Sequence, residues 1–152
     1  MRKYYAHSHA GIPAHELRDH LIDTASEVER CTKRIGLTGW GTPLGLAHDL
    51  GKFSDDFQRR VAGSDDFVDH STFGGQLLTC LYGNTGTLLA YGVLGHHTGL
   101  PNGEDATNSC LTARLRRTEI PDGSAWKTDQ DVTRLMPAEA TMKADRIAST
   151  AR

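Results

Sequence analysis

Apolar residues in the first quarter of the chain recur at helical spacing. Leu17, Leu21, Thr24, Val28, Cys31 and Ile35 lay one stripe along a helix from about 14 to 35, with Gly36 as its stop. His20 borders that stripe and can point inward. Residues 1–13 read as an irregular lead-in containing Gly11 and Pro13. After a turn at 39–43, an apolar run from Leu44 to Leu50 holds the adjacent pair His48-Asp49. Phe53, Phe57 and Val61 continue at spacing four and carry a second helical segment to about 62. Residues 63–66 form a loop. A third helix is predicted over 71–82, capped by Asp69 or Ser71, and a fourth over 86–97, ending in His96-His97. The chain is then loop-like to about 110, with a short helix over 111–117, irregular sequence over 121–130 and a last helix over 137–150. No alternation calls for a sheet, and no repeat is present. The pattern predicts an all-α fold.

Composition narrows this little. The 152 residues suit one domain with a single core, residues 1–152, and 38% are hydrophobic. A net charge of −2 neither requires nor excludes a nucleic-acid partner. Cys31, Cys80 and Cys110 are odd in number and widely spaced, which points to reduced, buried or half-buried thiols in a cytoplasmic protein. No secretory signal opens the chain, and no apolar run approaches the roughly 18 residues of a membrane span, so no membrane partner is expected. No GxGxxG or P-loop occurs, which excludes a nucleotide-driven motor within these residues. The unusual count is eight histidines.

Six chemistry-bearing residues change the picture. His20, His48, Asp49, His70, His96 and His97 all fall in, or at the end of, a predicted apolar helix or run. Buried polar groups need partners, and unpaired ones cost on the order of several kcal/mol. One shared metal centre would satisfy all six. Imidazole and carboxylate suit iron, manganese, nickel, cobalt or zinc. The adjacent His48-Asp49 pair is chance, a surface turn, or two ligands of one ion. Helical neighbours point about 100° apart, so they converge only on something between them. A carboxylate can also bridge two ions roughly 3.5–4 Å apart, as in two-metal phosphoesterases.

Four segments carry a resemblance: "YYAHS" (4–8), "HDLGKFSDDFQ" (48–58), "DHSTFGGQLL" (69–78) and "GHHTGLPN" (95–102). In this order they resemble the HD nuclease domain of CRISPR-associated type I helicase-nucleases, within the HD phosphohydrolase superfamily. The resemblance implies an HD-domain helical bundle around a metal centre. It implies two divalent transition-metal ions (iron, manganese, nickel or cobalt). His20, His48, Asp49 and Asp145, the last in "KADRIAS" (143–149), would hold one ion; Asp49, His70, His96 and His97 would hold the other. Lys52 would touch a phosphate oxygen, and His7 and Ser8 would line the site. Ser71 would contact substrate or simply cap a helix.

The implied activity is metal-dependent hydrolysis of DNA, preferably single-stranded, in antiviral defence. Implied partners are a CRISPR helicase subunit or domain and a guide-RNA surveillance complex. The interval from His97 to Asp145 is short for the family, so the chain beyond about 117 reads as shortened or divergent. Two other readings stand beside this one: an HD phosphohydrolase acting on nucleotides or small phosphoesters, and an inactive HD fragment with a binding role. His9 and His15 are expected at the surface. Arg114, Arg116 and Arg117 form either a solvated helix face or a phosphate-contacting one. Gly74-Gly75 is expected to permit close helix packing.

Overall fold

The computed structural model describes residues 2–9 and 12–150, with the side chains of Ser8, His9, Ile12, Pro13 and Thr150 outside that description. Helix α1 (Leu17–Arg34) forms where the apolar stripe predicts it, burying Leu17, Leu21 and Ala25. The stripe does not stay buried to its end. Cys31 and Ile35 are exposed, because the helix packed across α1, α2 (Gly41–Ala47), begins opposite Glu29 and leaves the last turn uncovered. A 3-10 turn (Leu50–Phe53) links α2 to α3 (Asp55–Val61). Then come α4 (Thr72–Gly95), α5 (Leu111–Arg116), a second 3-10 turn (Ser124–Thr128), α6 (Gln130–Leu135) and α7 (Ala140–Thr150). Helix accounts for 61% of the structure, in keeping with the all-α expectation.

Two elements depart from the sequence reading. The lead-in contains a small antiparallel hairpin, β1 (Tyr5–His9) with β2 (Ile12–Glu16), pairing Tyr5 with Glu16 and His7 with His15. Its strands carry few apolar residues, so no alternation marks them. What holds the hairpin is tertiary: Gln58 accepts from the Tyr5 N–H at 3.0 Å and donates to the carbonyls of Tyr5 at 3.0 Å and Lys52 at 2.8 Å. Helix α6 is the other addition. Asp129 caps it, accepting from the N–H groups of Asp131 and Val132, and Val132 anchors it in the core.

Helix α4 is two helices joined at a reversal. Gly83 has φ 57 and ψ −129, a conformation open to glycine and closed to side chains. A straight helix of 24 residues would be about 36 Å long. Instead Gly75 in the first arm meets Leu94 and Ala90 in the second, so the arms lie against each other. The separate helices predicted over 71–82 and 86–97 are these two arms. By length and composition the whole of α4 passes as a membrane span, with mean hydropathy 1.2, which the sequence reading did not anticipate. The reversal leaves each arm about 16 Å long, half the roughly 30 Å of a bilayer core.

Backbone contacts between α1, α2 and α4 are unusually close. A Cβ on Gly45 would lie 2.4 Å from the Ala25 Cα, and one on Gly74 would lie 1.8 Å from the Ala47 carbonyl oxygen. Gly74 thus has the close-packing role expected of it. Glu29 on α1 closes the N-terminus of α2, accepting from the N–H groups of Gly39 (2.8 Å), Gly41 (3.0 Å) and Thr42 (3.2 Å). Leu46, Leu50, Phe53, Phe73 and Leu77 centre the core. Ile120, Trp126, Val132, Met136, Ala140, Ala144 and Ile147 join the same cluster, so the segment beyond 117 packs on the body of the fold. Two cysteines expected inside, Cys31 and Cys80, are exposed; Cys110 is buried.

Gly83→Ala is expected to destabilise the protein by about 1–3 kcal/mol, since the reversal forces a side chain into a forbidden backbone region. Urea denaturation measures this; an unchanged midpoint would mean that the reversal tolerates another conformation.

Candidate metal centre

Four segments bring the chemistry together around Asp49. His20 projects from α1 between Leu17 and Leu21, whose burial fixes that face inward. His48 still has helical backbone, φ −56 and ψ −34, but Asp49 has left the helix at φ −124 and ψ 17. That break turns two neighbouring side chains toward one point. His70 precedes the first arm of α4, and His96 and His97 follow the second, so the reversal at Gly83 carries all three to the same end. The Gly51 N–H donates to the His70 carbonyl at 3.1 Å, which ties the third segment to the turn after Asp49.

Each oxygen of Asp49 faces its own group of imidazoles. Oδ2 lies 2.9 Å from His20 Nε2 and 3.0 Å from His48 Nε2, and those two nitrogens are 3.0 Å apart. Oδ1 lies 3.4 Å from both His70 Nε2 and His96 Nε2. The His97 ring sits 4.0 Å from that of His96 and 5.1 Å from that of His70. Donor atoms of His20, His48 and Asp49 lie within 4.8 Å of one another, as do those of Asp49, His70, His96 and His97.

The donor set fits a metal ion on three counts. Donors bonded at about 2.1 Å to one ion sit about 3.0 Å apart at octahedral angles and about 3.4 Å apart at tetrahedral ones. Those separations match the distances from Asp49 in both groups. Second, backbone carbonyls take the Nδ1 protons: His48 donates to Gly45 at 2.6 Å, His96 to Val93 at 2.6 Å and His70 to Val68 at 3.3 Å. In a neutral ring this leaves the Nε2 lone pair facing inward. Third, Asp49 Oδ1 and His70 Nε2 are buried without a hydrogen-bond partner. Such atoms are costly unless something binds them, and a cation between them would. The buried His/Asp cluster could therefore hold a metal ion.

Electrostatics agree. Burial opposes charge on Asp49, but the polar groups packed around it, the imidazoles of His20, His48 and His96 first among them, outweigh that and hold the carboxyl well below the usual range. Burial pushes His70 down to about 4, so its ring is neutral at pH 7 and free to ligate. His97 is also lowered, by burial and then by the neighbouring His96.

Lys52 is placed differently from the expectation. Its buried ammonium lies 2.9 Å from Asp49 Oδ2 and donates to the Ala6 carbonyl at 3.2 Å. It faces protein acceptors and holds the carboxylate and β1 together, instead of presenting itself to a phosphate. Asp145 is not brought to the cluster. On α7 the inward face is Ala140, Ala144 and Ile147, at spacing four and three. Asp145, one residue round from Ala144, is exposed and paired with Lys127. Met142, three residues before it, is 68% exposed.

Ser71 is buried, caps nothing with its side chain, and accepts from Arg114 Nη2 at 2.7 Å; Asp69 makes the capping bond to the Thr72 N–H. The His7 ring, on β1, lies 6.1 Å from that of His20. The side chain of Ser8 falls outside the described residues. His15, expected at the surface, is half-buried with its ring 5.6 Å from His20. Only the pairing of β1 with β2 puts it there.

Sequence reasoning also missed Arg114. It donates to Asp69 Oδ1 (3.0 Å), Ser71 Oγ and Thr72 Oγ1 (3.0 Å) at the start of α4, and to the Leu94 carbonyl (2.9 Å) at its end. One guanidinium thus clamps the His70 end to the His96 end. The only signal for it was its place in the basic run Arg114-Leu115-Arg116-Arg117. No protein-family model and no curated protein sequence matches the chain.

Arg114→Lys is expected to weaken Mn²⁺ binding about tenfold, because an ammonium cannot span both arms and loosened supports cost that much at metal sites. Competition with a chelator dye reads this, with circular dichroism as the check on fold.

Proposed function

We propose that the chain is a metal-dependent HD-type nuclease that hydrolyses phosphodiester bonds, preferably in single-stranded DNA, in type I CRISPR antiviral defence. The observation that carries this reading is the split of Asp49, each oxygen turned to a separate imidazole group. Two divalent ions, of iron, manganese, nickel or cobalt, bound there would supply Lewis acidity to a water molecule and to a phosphoryl oxygen. His20, His48 and Asp49 Oδ2 would hold one. Asp49 Oδ1, His70, His96 and His97 would hold the other.

The remaining work falls to the chain's own groups. Lys52 balances part of the Asp49 charge and keeps the carboxylate aimed. The carbonyls of Gly45, Val93 and Val68 fix which ring nitrogen each histidine offers. With Asp145 elsewhere, the first group has three protein ligands. That is one fewer than the resemblance implies, and an ion held there would keep coordination positions for water. By the same resemblance, the partners are a helicase subunit or domain and a guide-RNA surveillance complex, in the cytoplasm.

Asp49→Ala is expected to abolish hydrolysis of a single-stranded oligonucleotide and to lower bound metal at both groups, with helical content kept. More than a tenth of wild-type activity across iron, manganese, cobalt and nickel would reject the two-metal reading. Hydrolysis of nucleoside triphosphates with no cleavage of the oligonucleotide would assign the site to small phosphoesters instead.

A further inference from the structure

The histidines of the second group, His70, His96 and His97, open into a groove of about 700 Å³. Its walls include Phe67 and Leu100, which are 89% and 75% exposed. Large apolar side chains so open to water beside a polar centre are suited to contact a ligand. Arg60 and Arg117 also line this groove.

Arg117 lines a second groove as well, of about 380 Å³, on the other side of α5. There it stands with Arg116, Lys143 and Arg146, and among the described residues no carboxylate lines that groove. Asp69, the acidic residue of the first groove, is already paired with Arg114 and Arg117. In a chain with net charge −2, this is a local concentration of positive charge continuous with the candidate metal centre.

We infer that a single-stranded polynucleotide lies across α5, its bases against Phe67 and Leu100 beside the metal centre and its phosphates on Arg116, Lys143 and Arg146. The inference rests on the nuclease reading and adds a path to it. The Phe67 ring selects unpaired bases, because an exposed ring can stack only on a base face that a duplex would cover. The basic groove selects length. Lys143 and Arg146 line only the second groove, so they meet a strand that passes over Arg117 and not a mononucleotide held at the histidines.

The test is binding of fluorescent oligothymidylates of 2 to 12 nucleotides, read by anisotropy in chelator so that no hydrolysis intervenes. For the wild type, affinity should rise with length. In the triple variant Arg116→Gln, Lys143→Gln, Arg146→Gln the rise should flatten, with the 12-mer bound about tenfold more weakly. The slope of log affinity against log salt should fall by about 2, three contacts at about 0.7 each. Phe67→Ala should weaken the 12-mer about fivefold and narrow its preference over duplex. Circular dichroism checks that each variant is folded.

A triple variant with wild-type affinity and salt slope would overturn the path and leave those cations as a solvated face. So would a wild type that binds the dimer as tightly as the 12-mer. A protein that binds with the expected length dependence but cleaves nothing with metal restored would keep the path and reject the nuclease reading.

Discussion

A carboxylate that is 2% exposed and ionised is the constraint around which this protein is organised. Burying an isolated charge costs far more than a domain can spare, so Asp49 must be surrounded by groups that compensate it. Five groups surround it: the ammonium of Lys52, and the imidazoles of His20, His48, His70 and His96. They come from α1, the end of α2, the turn that follows it, and both ends of α4. Each of those elements must therefore approach one point to within a few ångströms. Even so, Oδ1 lacks a hydrogen bond, a buried acceptor that a cation could satisfy.

Close approach has a steric condition, met with small residues. Gly45 lets α2 lie on the backbone of α1, and Gly74 lets α4 lie on the carbonyl of Ala47. These contacts stand within a few residues of His20, His48 and His70, so the spacing of the helices is the spacing of the candidate ligands. The reversal at Gly83 does the rest for His96 and His97. Arg114 then locks the folded pair by bonding to both its ends. Lys52 and Gln58 extend the same economy outward, since both hold β1 while serving the turn after Asp49. Support and chemistry are thus shared by the same side chains, and a change at a support is transmitted directly to the centre.

Two sides of the centre differ in access. Oδ2 is enclosed by His20, His48 and Lys52, with Ala6 behind the lysine. The imidazoles on the Oδ1 side open to a wide groove with an apolar wall. On the proposed nuclease reading, substrate would enter from that second side, where His97 is exposed and the basic surface of α5 begins.

Much of this was legible in the sequence, because helices are local. The stripe from Leu17 predicts α1, and apolar runs bounded by glycine and histidine predict both arms of α4. The histidines and Asp49 stood out as polar residues embedded in those runs. The sequence therefore determined the helical class and singled out the six residues, His20, His48, Asp49, His70, His96 and His97, that the fold brings together. Only the tertiary structure decided what depends on distant partners. The hairpin of β1 and β2 exists through Gln58 and the candidate centre, so its polar strands show no periodicity. Lys52 looked like a residue facing substrate until its burial beside Asp49 gave it another acceptor. Asp145 sat in a motif of three residues, too short to say which face of α7 would be covered; packing of Ala140, Ala144 and Ile147 turned it outward. A pattern along the chain can say that a polar side chain needs a partner, but the identity of that partner is a matter of distance, and distance is settled only when the helices pack.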